Sequence, residues 1–358
     1  MSSCFPDVAP GRLRALAPGA GSPGLVRVST AAAITLGVLR QQMQRCGFTR
    51  CLNLLLAYPE EPGVECHGCG LAWSGDAAGC GATETEWPWL SLDALITRVA
   101  TDPTLPFERI CIAMGPHPRA AEDTLTVLRR WTEAVPAMPI SVLANPAIMR
   151  PGDVETLAQA GAGIFAVALE AATPELFARH RGCGHGWEQY WETFGRARMV
   201  FGPGRIGMHL TVGMGETDRD ILALCRDLHA IGGHSHLSCF SPPPGVRLHE
   251  HMVPSRRRWR RLQLARYLLE YQDHGFGALA FDAEGGLVRF GLDGITLERI
   301  VRSGVPFRTS GCPGATREDL SVCERPYGDG PPWDIASYPF ALNGGDIRRV
   351  LRQLGALE

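Results

Sequence analysis

One pattern constrains this chain more than any other. Strand-length runs of strongly apolar residues alternate with stretches of helical spacing, six times over, between about residue 50 and residue 275. The strand runs are predicted at 52–58 (LNLLLAY), 109–114 (RICIAM), 139–143, 163–169 (GIFAVAL), 205–212 (RIGMHLTV) and 236–240. Helices are predicted at 91–100, at 121–134, after Pro151-Gly152-Asp153, after a Thr217 or Asp218 cap, and over the basic stretch 255–271. Strand–helix units in succession dictate a parallel sheet. Runs as apolar as GIFAVAL are expected where both sheet faces are covered. The expected fold is therefore α/β, a partial (β/α)6 TIM-type barrel with its chemistry at the C-terminal strand ends. After about residue 275 the pattern breaks into segments rich in Gly, Pro and Asp, with 311–339 an ordered irregular layer and 344–357 a closing helix. The expected organisation is an N-terminal extension over 1–45, the barrel over 46–274, and an irregular C-terminal cap over 275–358.

Composition narrows the chemistry. Of 358 residues, 45% are hydrophobic and 20% charged, which suits a globular chain able to bury a core. The net charge of −2 argues against bulk electrostatic binding to nucleic acid or to an anionic membrane. With no long apolar run and no secretory signal at the N-terminus, a cytoplasmic location is expected. All 35 basic residues are Arg, so a Schiff-base lysine, a pyridoxal phosphate aldimine and a lysine-bearing phosphate loop are all excluded. Twelve cysteines in a reducing compartment are expected to serve as metal ligands or catalytic groups rather than disulfides. Cys4, Cys46, Cys51, Cys66, Cys69 and Cys80 crowd the first quarter, and Cys312 and Cys323 lie near the C-terminus. Cys111, Cys225 and Cys239 fall within apolar runs and read as small core residues. Cys183 sits in a Gly-rich turn and is assigned to neither group.

The sharpest local motif is Cys66-His67-Gly68-Cys69-Gly70, just past the first predicted strand. Two thiols three positions apart in a glycine-rich loop can face one metal or cluster, because the glycines permit the tight turn. The same pair also fits zinc or a redox disulfide. Zinc would want a second pair of matching spacing, and Cys312 and Cys323, with ten residues between them, match poorly. A thioredoxin-like motif would open a helix in a much smaller domain.

The segment 58–71 (YPEEPGVECHGCGL) resembles the cluster loop of radical S-adenosylmethionine (SAM) enzymes. The resemblance implies that three Cys hold three irons of a [4Fe-4S] cluster while SAM chelates the fourth iron. The usual CxxxCxxC spacing is altered: Pro62 stands at the first Cys position, and Gly68 replaces the aromatic residue before the last. Cys66 and Cys69 are the implied ligands, with Cys51 expected as the third and Cys46 and Cys80 as rivals. The segment 207–217 (GMHLTVGMGET) resembles the fifth-strand region of the biotin synthase-like branch, which implies that Gly213 lies beside the adenine. The segment 168–174 (ALEAATP) resembles the fourth-strand end, which implies that Glu170 accepts the ribose hydroxyls. Arg181 would take the methionine carboxylate, and Asn145, ending the third strand, is the expected polar partner for SAM. Met114-Gly115-Pro116 ends the second strand without the acidic residue related enzymes carry there.

Two C-terminal segments, 307–313 (FRTSGCP) and 323–327 (CERPY), resemble segments of biotin synthase-related proteins, notably two-component lipoyl synthases. They imply a second iron–sulfur cluster on Cys312 and Cys323, completed by Ser310, Arg308, Cys4, Cys46 or Cys51. A structural zinc or unliganded thiols is the plainer alternative. The implied activity is cleavage of SAM to methionine and a 5′-deoxyadenosyl radical, hydrogen abstraction from an unactivated C–H, and sulfur insertion into an octanoyl chain on a lipoyl-carrier-type protein. A related radical SAM protein would be the partner, and a ferredoxin or flavodoxin the electron donor. A radical rearrangement or C–C bond reaction in cofactor or natural-product biosynthesis is the runner-up. A zinc-stabilised, non-catalytic α/β binding protein is the alternative of another class. His234 and His236 share one strand face and are placed to meet substrate or to be satisfied within the strand. Arg256, Arg257, Arg258, Arg260 and Arg261 are expected to be mostly solvated, or to meet an acidic partner such as a carrier domain.

Overall fold

Six of the predicted strands lie side by side in chain order and run in one direction. The computed structural model describes residues 13, 15, 21–41, 43–45, 48–58, 87–181, 186–240, 253–312, 323 and 335–355. The chain opens with β1 (Leu25–Val28) and the short helix α1 (Thr30–Thr35). The parallel strands are β2 (Cys51–Leu55), β4 (Arg109–Ala113), β5 (Ile140–Ala144), β6 (Ala162–Glu170), β7 (Ile206–Val212) and β8 (His234–Cys239), each paired with the next. Helices α2 (Leu92–Thr101), α3 (Ala120–Ala134), α4 (Asp153–Gln159), α5 (Pro174–Arg181), α6 (Trp187–Phe201), α7 (Asp218–Ala230) and α8 (Arg256–Tyr271) connect and follow them. Thr217, not Asp218, caps α7, in a reciprocal capping box with Asp220.

The α/β partial barrel is thus the observed architecture, with an addition at one edge. β1 pairs antiparallel with β2, and β3 (Trp89–Ser91) pairs antiparallel with β1. Leu25–Val28, within the stretch expected as an N-terminal extension, is therefore a strand of the sheet, and α1 follows it. These strands of four and three residues are too short to show a period of their own.

Side chains alternate across a strand, and one set on β2 and on β4 to β7 is apolar. Leu52, Ile110, Ile112, Phe165, Val167, Met208 and Leu210 are all 0% exposed and belong to one continuous core that includes α3 residues Val127, Leu128 and Trp131. Each such side chain contributes about 1.5–3 kcal/mol on burial.

The C-terminal region comprises β9 (Ala280–Phe281), β10 (Leu287–Arg289), α9 (Gly294–Ser303) and α10 (Gly344–Leu354). Here the arginine run departs from expectation. Arg258 pairs with Glu216 at 3.0 Å and with Asp218 at 2.7 Å. Arg260, 1% exposed, donates to the Ala336 carbonyl, to Gln263 and to Gln353. Arg261 donates to the carbonyls of Leu287 and Val288. A guanidinium offers five donors in a planar fork, which suits irregular backbone with unpaired carbonyls. Three of the five arginines are therefore fasteners that bind α8 to the cap and to α7. Burial lowers the Arg260 pKa to about 10.

The cap also closes the N-terminal end of the barrel. Thr309 donates through its amide to Tyr338, Arg308 bridges Tyr338, and the Ser310 hydroxyl approaches the carbonyl of Ser235 near the start of β8. Among the described residues, no helix is long and apolar enough to cross a membrane.

Candidate functional site

The barrel strands turn a very different set of residues inward. β4 contributes Arg109, Cys111 and Ala113, β2 contributes Cys51 and Asn53, and β5 contributes Ser141 and Leu143. With His209 of β7 and His236 of β8 they line a cavity of about 40 Å³. At about 10–15 Å³ per water by this measure, it would admit roughly three waters. A closed (β/α)8 barrel fills this space with branched aliphatic side chains; here four thiols, two imidazoles, Asn53, Arg109 and Ser141 share the lining with Leu54, Trp87, Val142, Leu143 and Ala166. His209 and His236 stack with ring centroids 4.7 Å apart. Gly207 makes room for that pair, because a Cβ there would lie 2.5 Å from His236 Nε2. His234, by contrast, is exposed.

Thiols gather at the closed end of this interior. Cys51 and Arg109 are register partners at the first positions of β2 and β4. The C-terminal region brings Cys312 and Cys323 to the same cavity. Cys51 is 1% exposed and Cys323 8%. Burial pushes the Cys51 pKa well above the usual thiol value, and the neighbouring Cys323, Cys111 and Cys312 push it further, with Arg109 opposing. Burial also raises Cys312, against the opposing effects of Arg109 and a hydrogen bond with Ser141. Arg109 Nη1 donates to Ser141 Oγ at 2.9 Å, and the Cys51 thiol donates to Asn53 Oδ1 at 3.3 Å. Cys111, expected as a small core residue, is instead part of this thiol group. Arg109, Cys111 and Ala113 follow the period of two that carries alternate residues inward, and RICIAM contains that signal.

The opposite, C-terminal end carries the residues expected at SAM. Glu170 ends β6 with φ of 69°, beyond a register shift at Ala168/Glu170. A positive φ at a non-glycine residue beside a bulge is a strained arrangement that re-aims a side chain. Thr211 donates its hydroxyl to Glu170 Oε2. Asn145 accepts through Oδ1 from the Tyr190 hydroxyl at 2.8 Å and from the Ala147 amide at 3.3 Å, so its amide hydrogens are what remain for a ligand. Gly213 has φ of 111°, a value that favours glycine.

Glu216 was not among the expected site residues, although it is the acid of the GET segment. Its carboxylate accepts from the amides of Gly213 at 2.9 Å and Met214 at 2.8 Å, and its side chain is wholly buried. His180 Nε2 meets the Met214 carbonyl at 2.7 Å, tying α5 to the same turn. Arg181 is the last residue of α5. Tyr58 anchors the chain where it leaves β2: its hydroxyl donates to Asp123 at 2.8 Å, and its ring stacks on His117 at 3.9 Å.

Cys66 and Cys69, with Cys4, Cys46, Cys80 and Cys183, lie outside the described residues. Cys51 lies at the start of β2. The structure brings Cys51, Cys312 and Cys323 together, and groups Glu170 and Gly213 at the other barrel end.

Residues 65–228 match the profile of the radical SAM superfamily, and this stretch is a radical SAM domain. That domain implies a [4Fe-4S] cluster and SAM. No curated protein matches the chain. Among solved structures, it is similar to methylornithine synthase (PylB), at 15% identity and TM-score 0.42, over 57% of this chain and 60% of that one. It is also similar to the FeFe-hydrogenase maturase HydG from Carboxydothermus hydrogenoformans, at 16% identity and TM-score 0.42, over 62% and 51%. A third is the radical SAM methyltransferase TsrM from Kitasatospora setae, at 17% identity and TM-score 0.35, over 58% and 40%. The chain thus spans less than two thirds of the length of each of these three.

The upper-end residues fit SAM. Glu170 presents a half-buried carboxylate on which, among the described residues, only Oε2 accepts a hydrogen bond. That leaves acceptor capacity for hydroxyl donors such as a ribose diol. Asn145 retains donors, and the turn at Gly213 lacks side-chain bulk.

Proposed function

We propose that the protein is a radical SAM enzyme that inserts sulfur at an unactivated C–H carbon. The reading is carried by one observation: a radical SAM domain whose barrel interior sets four thiols and two imidazoles among its apolar lining residues. When bound, the cluster and SAM supply one-electron cleavage of SAM and a hydrogen-abstracting 5′-deoxyadenosyl radical. In this reading Cys66 and Cys69 hold that cluster. Glu170, oriented by Thr211, accepts the ribose hydroxyls. Asn145 donates to SAM, and Arg181 takes the methionine carboxylate. Glu216 fixes the Gly213–Met214 turn against which the adenine rests. The cap across the N-terminal end separates the barrel interior from bulk water.

Overall, a C–H bond would be replaced by a C–S bond: one electron from the donor breaks the C5′–S bond of SAM, the hydrogen leaves on 5′-deoxyadenosine, and the sulfur would be sulfide of a protein-bound iron–sulfur centre, whose iron would take up the electron released as the C–S bond forms. The proposed substrate is an octanoyl chain on a lipoyl-carrier-type protein, with a related radical SAM protein as partner and a ferredoxin or flavodoxin as electron donor. The test is mass spectrometry for 5′-deoxyadenosine after anaerobic reconstitution and addition of dithionite and SAM. The expected result is 5′-deoxyadenosine and methionine in equal amounts, abolished in C66A/C69A protein. A reconstituted protein that is colourless and forms neither product would overturn the radical reading. Loss of protein-bound sulfide during turnover with octanoyl-carrier substrate is expected; product formed with sulfide intact would replace sulfur insertion by a rearrangement or C–C bond reaction.

A further inference from the structure

The inner faces of β7 and β8 meet in a feature that neither the SAM residues nor the thiols account for. His209 and His236 are register partners on these strands, 5% and 6% exposed, with their rings stacked at 4.7 Å. A packed barrel would place branched aliphatic side chains here. Gly207, one inward step before His209, gives its side-chain space to the His236 ring. One inward step beyond His209 stands Thr211, whose hydroxyl holds Glu170. Two residues of strand advance about 6.6 Å. The imidazole pair therefore lies one layer below the carboxylate read as the ribose acceptor, and a molecule attacked beside SAM extends into that layer. The charge there is one-sided. Arg109 lines the same cavity, and among its described lining residues there is no Asp or Glu. A guanidinium in such a site gains most from an oxyanion, through a charge-assisted fork. An imidazole beside an anion takes up a proton and becomes a second cation.

We propose that His209 and His236, with Arg109 as the fixed cation of the cavity, bind a carboxylate carried by the substrate, which enters the barrel with that carboxylate leading. The apolar liners Leu54, Val142, Leu143 and Ala166 suit the methylenes that follow it. The inference rests on the radical SAM reading, which places SAM at Glu170, and it refines the substrate of the sulfur-insertion reading. An acyl chain whose free end is a carboxylate satisfies both the cations and the apolar wall. The methyl end of a plain octanoyl chain satisfies only the wall.

The test is binding without turnover. Octanedioate and its neutral analogue octanediamide are titrated by calorimetry into full-length, anaerobically reconstituted protein holding SAM, with no reductant. The wild type should bind octanedioate at least about tenfold more tightly than the diamide. His209→Gln and His236→Gln keep a hydrogen-bonding side chain but cannot become cations. Each should bring the two ligands to within about twofold of one another, with SAM affinity and melting temperature at wild-type values. Histidines that only fill the barrel would shift the melting temperature and weaken both ligands alike. The wild-type comparison needs no variant to fold. Failure of the wild type to bind octanedioate or to prefer it, or a preference unchanged in both variants, would overturn the proposal. The two readings fail separately. A wild type that prefers octanedioate but yields no 5′-deoxyadenosine with dithionite defeats the radical reading and leaves the carboxylate site standing. A wild type that yields 5′-deoxyadenosine but shows no preference defeats the carboxylate site alone.

Discussion

The same parallel strands carry two faces of opposite character. On β4, Ile110 and Ile112 are fully buried in the apolar core, while Arg109, Cys111 and Ala113 between and beside them line the cavity. On β7, Met208 and Leu210 pack in that core, while Gly207 and His209 face the His236 ring. One face is chosen for volume and the other for chemistry, and a single residue step separates them. Holding the strands together is thus the work of one set of positions, which leaves the inner set free to be polar without unfolding the barrel.

The clearest way to break this division is to exchange the consequences of the two faces. Phe165, fully buried against Phe201, should behave as a stability residue alone. Phe165→Ala should cost about 3–5 kcal/mol in denaturant unfolding, with iron content per folded chain unchanged. Cys111→Ser, on the cavity side of β4, should keep stability within about 1 kcal/mol. If both variants lose stability equally, the inner face is only core.

The turn after β7 sharpens the contrast at the other end. Glu216 holds two amides and Arg258 in a buried carboxylate bridge. Glu216→Ala leaves those donors unpaired and should cost about 3 kcal/mol, measured by chemical denaturation. Glu170, half-buried and held only through Oε2 among the described residues, should not. Glu170→Gln removes charge-assisted acceptance of hydroxyl donors, worth about 2 kcal/mol, and should raise the SAM concentration for half-maximal cleavage about thirtyfold. Its melting temperature should stay near that of the wild type. A Glu170→Gln variant that unfolds early yet binds SAM normally would make Glu170 a structural cap.

Most of the parallel strands were visible in the sequence because they are short runs dominated by apolar residues between helix-spaced stretches. β1 and β3 were not, since four and three residues carry no period and their pairing is a long-range matter. The inner face was partly visible. Cys111 lies in a run so apolar that the thiol looks like one more core residue, yet alternation with Arg109 marks its direction. Convergence of Cys312 and Cys323 on β2 and β4 could not be read from spacing, because it depends on how the cap folds back across the strand starts. Charge misled in the arginine run. A basic stretch on a helix usually points to water, but Arg260 meets the Ala336 carbonyl and Arg261 the carbonyls of Leu287 and Val288 in β10.

The last comparison sets the thiols of the cavity against one that belongs to the other face. Cys225 on α7 is 0% exposed and packs in the apolar core, and burial pushes its pKa up to about 12 from 9.0. The native state then keeps a proton that the unfolded chain gives up above about pH 9. A thiol whose folded pKa is raised contributes its full share of stability below the unfolded value. That share is lost as pH rises toward the folded value. Wild-type metal-free protein should therefore lose about 1.4 kcal/mol by about pH 10 from this group, a loss that Cys225→Ala protein does not share. The check is the gap between the two unfolding free energies at about pH 8 and about pH 10, which should shift in favour of the variant. Iron loading should leave that shift unchanged, because Cys225 sits outside the cavity. A shift that disappears on loading would mean that the two faces are coupled through the sheet, and would end the division of labour argued for the strands.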